Sequence, residues 1–255
     1  MGFSYPDWKG EFYPSEMPPR NFLAYYSRVF SSVEIDSTFY GTPKIDTIQR
    51  WKAVTPENFK ICVKVPRMIT HEMRLINVGG LLNEFLDRMQ ILEEKLGVVL
   101  FQFPPSFKIQ DMQRLGDFIT ELPSRFRYAI EVRDRSWYTA GQEFRTMLES
   151  RGICWVATEY PRLPGRINPT AKFLYIRWIG QHGSFTFHNR ERIDRTENMK
   201  SWLKQISTYN DQMEGLFGFY NNDYAGFAAG SANRFKEMIG LPIKKLKPPQ
   251  QGALF

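Results

Sequence analysis

The chain has 255 residues, of which 42% are hydrophobic and 15% aromatic. This length suits one large domain, and the apolar content excludes a mostly disordered or collagen-like chain. The net charge of +7 favours polyanionic partners without naming one. No stretch approaches the ~20 apolar residues of a membrane span, and the first residues lack a basic segment followed by an apolar one.

The two cysteines, Cys62 and Cys154, each lie inside an apolar run. Such a position favours a buried, reduced thiol over a disulfide or a metal ligand. We therefore expect a cytoplasmic protein that does not bind or span a membrane.

Seven short apolar runs alternate with longer segments of helical period, which is typical of repeated βα units around a parallel sheet. The predicted strands are 32–37, 60–65, 97–103, 128–133, 153–158, 173–178 and 216–220. The predicted helices are 21–30, 44–53, 80–96, 109–121, 140–151, 196–209 and 227–239.

This alternation predicts an α/β fold, a (β/α)8 TIM-type barrel formed by residues 1–240. An eighth strand would have to precede Ser4, so we expect the first strand of the barrel to be truncated. From Leu241 the sequence LPIKKLKPPQQGALF has three prolines and no helical period, which predicts a basic C-terminal tail, 241–255.

Polar side chains near the ends of these strands are the strongest functional signal. Charges within buried barrel strands are costly unless they face the lumen and are paired, and barrel enzymes place their sites at the carboxyl ends of the strands. The residues that we expect to meet there are Asp36, Lys64, Gln102, Glu131, Arg133, Arg177 and Asn221. The alternative is a structural network in which Glu34, Asp36 and Glu131 only neutralise Lys64, Arg133 and Arg177.

The loops that follow the strands add further binding candidates. Five aromatic residues could stack on a sugar or a base, namely Tyr5, Trp8, Phe39, Tyr40 and Trp137. Arg67 and His71 stand in the loop after the second predicted strand. After the last strand, Asn222 or Asp223 could cap a helix that begins near Gly226, whose free amides would bind a phosphate, although capping alone also explains these residues.

The simplest chemistry that these residues allow is acid–base catalysis by Glu131 and Lys64. Asp36 is a third catalytic candidate. The three histidines lack the close spacing of metal ligands, so we predict no cofactor. A magnesium site of Asp36, Glu131 and Asp223 stays open as an alternative. The sequence contains no G-x-S-x-G elbow, no P-loop and no GxGxxG fingerprint.

Six segments of the chain, in order, resemble the signature blocks of the YecE-type family, domain of unknown function 72. They are SYPDWKGEFYP (4–14), VEIDSTFYGTP (33–43), KVPRMITHEMRL (64–75), LFQFPPSF (100–107), AIEVRDRSW (129–137) and FYNNDYAGFAAGSA (219–232). The resemblance implies a barrel and a candidate mouth, and it implies no particular reaction.

Three positions depart from the family pattern. The first residues, MGFSY, stand where relatives read G-T-S-G-W-S-Y, and Asp36 stands where the family usually has asparagine. The segment from Arg177 to Gly180 lacks the histidine of an R-x-H-G pattern, and His182 is a candidate replacement. Metal-dependent nucleases that act at abasic DNA share the barrel architecture, but fold alone does not set function.

The end of the tail resembles the Q-x-x-L-F peptides that dock on replication sliding clamps. Gln251, Leu254 and Phe255 would be the partner-binding residues, with Leu and Phe in an apolar pocket of the clamp. A disordered terminus is the alternative.

These patterns favour an enzyme, a hydrolase or lyase, that acts on a phosphate-bearing small molecule, a nucleotide or nucleic acid. One alternative is a non-catalytic nucleic-acid-binding module linked to a sliding clamp. Another is a sugar-processing hydrolase in which Asp36 and Glu131 flank a glycosidic bond.

Overall fold

The computed structural model describes residues 1–243, which contain eight strands and eight α-helices. The strands are β1 (Ser32–Ile35), β2 (Lys60–Lys64), β3 (Leu96–Gln102), β4 (Tyr128–Glu131), β5 (Cys154–Trp155), β6 (Ala157–Glu159), β7 (Phe173–Trp178) and β8 (Gly215–Tyr220). The helices are α1 (Phe22–Val29), α2 (Ile45–Val54), α3 (Gly79–Met89), α4 (Met112–Thr120), α5 (Ser136–Thr139), α6 (Gly141–Glu149), α7 (Thr196–Ser207) and α8 (Ala228–Met238).

All strands pair in parallel, in two sheets. One sheet has the order β1-β2-β3-β4-β5 and the other the order β6-β7-β8. The boundary between the two sheets falls inside the predicted strand 153–158, which is divided at Val156. The amide of Val156 donates to Ile130 O at 2.9 Å. The predicted α/β class with parallel strands is confirmed, and each predicted strand and helix has a counterpart.

No strand precedes β1 within residues 1–243. Instead, the backbone of Met1 and Gly2 bridges the outer strands of the two sheets. The amine of Met1 donates to Tyr220 O at 2.5 Å, and the amide of Gly2 donates to Glu34 O at 2.7 Å. These two residues therefore lie between the outer strands of the two sheets.

The helices pack on the sheets through apolar faces at helical spacing. In α3, Leu82, Phe85, Leu86 and Met89 are buried, so one stripe of the helix faces the core. Each fully buried side chain of this size contributes about 1.5–3 kcal/mol relative to an exposed one. Within residues 1–243, every helix is too short or too polar to cross a lipid bilayer.

A cavity of about 680 Å³ lies between α1 and α8, where the outer strands of the two sheets approach each other. Its lining is mostly apolar and includes Val29, Leu216 and Phe235. None of the polar residues that the sequence singles out at strand ends lines it. The polar candidate residues lie instead at the carboxyl ends of the strands.

The loop after β7 approaches the segment after β8 very closely at Gly180. Gly180 has φ +72°, and a Cβ at this position would lie 2.3 Å from the carbonyl oxygen of Asp223. Only glycine fits such a position without a backbone shift. The contact fixes the segment that carries Asp223 against the end of β7.

We expect Gly180→Ala to destabilise the fold much more than Gly183→Ala. Both glycines have positive φ, but a Cβ at Gly183 meets no atom within 4 Å. Backbone strain alone costs about 1–2 kcal/mol, and the clash at Gly180 adds about 1–3 kcal/mol. Urea unfolding of both variants measures the difference, and equal losses would contradict the close approach.

Candidate functional site

A buried network of carboxylates and arginines lies at the carboxyl ends of β1, β4 and β7. The guanidinium group of Arg177 donates to both oxygens of Glu34, at 2.8 and 3.0 Å, and to Oε2 of Glu131. Arg133 donates to the other oxygen of Glu131 at 2.9 Å, and Tyr175 donates to Glu34 at 2.6 Å. We call these five residues the carboxylate–arginine network.

The network keeps both glutamates ionised. Burial alone would raise the pKa of each carboxyl group, but the adjacent guanidinium groups outweigh it. The positive charges of Arg177 and then Arg133 lower the pKa of Glu131 to about 2. The pKa of Glu34 is also lowered, chiefly by Arg177, against the effect of burial.

Lys64 lies beside this network at the end of β2, and its side chain is only 8% exposed. Its Nζ stands 3.7 Å from the centre of the Phe39 ring. Among residues 1–243, the ammonium group has neither a hydrogen bond nor an ion pair within 4 Å. Burial, followed by the positive charge of Arg177, lowers the pKa of Lys64 to about 8.

Asp36 begins the short helical turn that follows β1, at the open side of the network. Its Oδ1 lies 3.6 Å from Arg177, and about a third of the side chain, 35%, is exposed. Desolvation, followed by the negative charge of Glu34, raises its pKa to about 6. Asp36 and Lys64 therefore both titrate near neutral pH.

Four groups form what we call the basic side of the mouth, namely Lys64, Arg67, His71 and Arg133. Burial first, and then the charges of Lys64, Arg133 and Arg67, lower the pKa of His71 to about 4. His71 contacts the Phe39 ring edge-on, and Arg133 lies 4.6 Å from the ring centre of Tyr160. Arg67 is exposed and pairs with Glu72 at 2.9 Å. Cationic side chains therefore lie close together here, two of them paired with Glu72 and Glu131.

A second polar cluster brings together Asp7, His182, His188 and Asp223, and the sequence reasoning missed half of it. His188 lies between two carboxylates, 3.6 Å from Asp7 and 3.9 Å from Asp223. His182 approaches Asp223 at 3.2 Å. Asp7 and His188 come from segments without regular period, so no pattern in the sequence joins them.

Two aromatic residues predicted to stack on a ligand are instead part of the core. Trp8 is 1% exposed and packs among Tyr5, Phe12 and Tyr13. Trp137 is fully buried, and its Nε1 donates to Phe107 O at 2.9 Å. That prediction is wrong for both, because neither ring face reaches solvent.

The remaining aromatic candidates differ in how they reach solvent. Tyr40 is 78% exposed, and Phe39 is partly exposed beneath Lys64. Tyr5 is half-buried, donates to Met1 O and has a raised pKa because of burial and the charge of Asp36. Phe39 and Tyr40 are thus the two rings that a ligand at the mouth can contact.

Arg177, which the sequence places among the candidate binding residues at the strand ends, makes ion pairs within the protein. Its guanidinium group is 3% exposed and already bonds two carboxylates. Gln102, also buried, donates from its amide to Phe103 O. The bonds that Glu131 makes to two arginines likewise argue against proton transfer by this residue. The structural network that the sequence left open as an alternative thus exists for Glu34, Glu131, Arg133 and Arg177.

The polar residues after β8 act as caps. Asn221 accepts a hydrogen bond from the amide of Asp223 at 2.8 Å, and Asn222 accepts one from Ala228 at the start of α8, at 3.0 Å. The helix therefore begins at Ala228, two residues later than Gly226, and one of its first amides is already bonded. The buried carboxylate of Asp223 nearby opposes a phosphate at this position.

Within residues 1–243, no group of three or more His, Cys, Asp and Glu residues is arranged to hold a metal ion. Asp36 and Glu131 of the alternative magnesium site both face Arg177. Gln251, Leu254 and Phe255 of the predicted clamp-binding tail lie outside the described residues.

A family model described as "Protein of unknown function DUF72" matches residues 1–253. The chain belongs to the DUF72 family. It is 34% identical to the UPF0759 protein YecE of Escherichia coli strain K12, over 91% of this chain and 92% of that protein. The resemblance found in the sequence blocks is thereby confirmed.

Solved DUF72 structures share the fold. The DUF72 family protein TM1631 of Thermotoga maritima superposes with a TM-score of 0.79 at 29% identity, covering 94% of this chain and 96% of that one. The DUF72 family protein EF0366 of Enterococcus faecalis superposes with a TM-score of 0.77 at 21% identity, over 98% and 97% of the two chains. Neither name states an activity.

We expect Glu131→Gln to lower the free energy of unfolding at pH 7 by about 3–5 kcal/mol, because it leaves the buried charge of Arg177 undercompensated. The exposed pair of Glu149 with Arg145 offers a control, and Glu149→Gln should change stability by at most about 1 kcal/mol. Urea unfolding of both variants measures the difference.

The same variant tests the pH dependence. Because the pKa of Glu131 in the folded protein lies near 2, below its ordinary value of 4.5, its contribution to stability is present above pH 4.5 and is lost as the pH falls toward 2. Glu131→Gln should therefore flatten the decline of stability in that window. If the stability of Glu131→Gln declines as steeply with falling pH as that of the unaltered protein, the lowered pKa of Glu131 is contradicted.

Proposed function

We propose that this protein is an enzyme that acts on a phosphate-bearing substrate, a nucleotide or nucleic acid, at the carboxyl ends of its strands. One observation carries the proposal. Lys64 and Asp36, which influence each other's charge, have pKa values moved to about 8 and about 6, beside a basic side that is open to solvent. Groups that exchange protons near pH 7 are typical of catalytic acids and bases.

The roles follow from which groups are already bonded. Glu34 and Glu131 hold Arg177, so the proton exchange falls to Lys64 and Asp36. Arg133 bonds Glu131 through Nε, so this bond does not use its two terminal nitrogens. Arg67 is exposed. Both side chains can therefore contact an anion. The rings of Phe39 and Tyr40 offer surfaces for a base or sugar.

We also infer that the two sheets form one (β/α) barrel. The hydrogen bonds of Met1 to β8 and of Gly2 to β1 support this arrangement, as does the ion-pair network that crosses from β1 and β4 to β7. Cys62 and Cys154 are both buried and unpaired, which supports a reducing compartment such as the cytoplasm.

The sugar-hydrolase alternative receives less support. It requires Glu131 as a nucleophile or proton carrier, and both oxygens of this carboxylate are bonded to arginines. The clamp-linked module depends on the tail outside the described residues. Nucleic-acid binding without any product, weakening steeply with salt, would favour that module over an enzyme.

We expect turnover in a screen of nucleotides and short oligonucleotides, followed by chromatography of the products. The rate should be greatest between about pH 6 and about pH 8, where Asp36 and Lys64 titrate. Lys64→Met and Asp36→Asn should each reduce it by about 10²–10⁴-fold.

The matched controls are Lys60→Met, at the opposite end of β2, and Asp87→Asn, on the exposed surface of α3. Both should turn over at the rate of the unaltered protein. Unchanged activity in Lys64→Met or Asp36→Asn would remove that residue from the mechanism.

A further inference from the structure

Within residues 1–243, Lys64 differs from the arginines of the mouth because no carboxylate forms an ion pair with it within 4 Å. Glu34 and Glu131 carry two negative charges, and Arg177 and Arg133 carry two positive charges bonded to them. The carboxylate–arginine network is therefore neutral by itself. Lys64 is left as a buried amine that lies over the ring of Phe39.

Such an amine is suited to nucleophilic attack. A lysine that is desolvated and stands near another cation holds its proton weakly, and the free amine is the reactive form. Both conditions apply to Lys64, because the residue is buried and the positive charge of Arg177 acts on it. Among the described residues, the Nζ of Lys64 has no hydrogen-bond partner and is not fully enclosed, so part of it faces solvent.

We propose that Lys64 forms an imine with the carbonyl carbon of a phosphorylated aldehyde. The phosphate part of the substrate rests on the proposed function, whereas the reactivity of the amine does not. The basic side of the mouth supplies Arg67 and Arg133 for the phosphate. A free sugar phosphate in its open-chain form and an abasic deoxyribose in DNA both offer this chemistry.

The reaction needs no oxidant, reductant or metal. The unprotonated amine of Lys64 forms a bond to the carbonyl carbon, the π electrons move to oxygen, and a proton passes from nitrogen to oxygen to give a carbinolamine. The carboxyl form of Asp36 donates a proton to the hydroxyl group, which leaves as water. The products are a protonated imine and the carboxylate of Asp36, and hydrolysis runs the same steps in reverse.

The test is reductive trapping on the full chain. The protein is incubated with deoxyribose 5-phosphate or with a DNA oligonucleotide that contains one abasic site, in the presence of sodium cyanoborohydride. Mass spectrometry then locates the adduct. We expect one adduct per chain on Lys64, in excess over each surface lysine on the order of tenfold, because the surface amines are protonated at neutral pH. The preferred probe identifies the source of the aldehyde.

Lys64→Arg keeps the charge and removes the amine, so it should abolish this adduct, whereas Lys60→Arg on the same strand should not. Circular dichroism checks that the variants are folded. Asp36→Asn leaves Lys64 in place and should slow trapping on the order of tenfold. Adducts spread over the surface lysines, or trapping unchanged in folded Lys64→Arg, would overturn the proposal.

Deoxyribose without phosphate separates the two proposals. Trapping at Lys64 that is as fast with this sugar as with its phosphate would retain the imine and contradict the phosphate-bearing substrate. Turnover of nucleotides without any trapping at Lys64 would retain the proposed function and overturn the imine.

Discussion

The guanidinium group of Arg177 carries a full positive charge where solvent hardly reaches it, and the architecture of the mouth depends on how that charge is compensated. Its partners come from distant parts of the chain, Glu34 on β1 and Glu131 on β4. A buried charge without partners costs several kcal/mol, so these three strands must keep their relative positions. The two sheets are thereby joined at their carboxyl ends by ionic hydrogen bonds as well as by packing.

This constraint also decides which groups remain available for chemistry. The network uses the acceptors of both glutamates and leaves them ionised throughout the physiological range. The positive charge of Arg177 contributes to the lowered pKa of Lys64, and the negative charge of Glu34 contributes to the raised pKa of Asp36. A structural network and the reactive pair that we propose are therefore compatible in this protein. The charges of the network add to the effect of burial on the pKa values of Lys64 and Asp36.

The loops around the mouth divide into a basic and an acidic part. Lys64, Arg67 and Arg133 surround His71, whereas Asp7 and Asp223 surround His188. The close approach at Gly180 holds Asp223 in place, and Asn222 fixes the start of α8. The phosphate group of the proposed substrate is accordingly assigned to the side of β2 and β4 rather than to the start of α8. The shared fold of the DUF72 family leaves such details to the individual chain.

The sequence alone determined the order of strands and helices, because β-branched runs and helical period are local properties. It also placed Asp36, Lys64 and Glu131 at one edge, since parallel strands end on the same side. It did not decide which charges pair, because Arg177 meets Glu34 across 143 residues. Nor did it distinguish the buried rings of Trp8 and Trp137 from the exposed ring of Tyr40, since aromatic residues in loops look alike before packing. Only the tertiary structure sets burial and the distances between charges, and these determine the pKa values of Lys64 and Asp36.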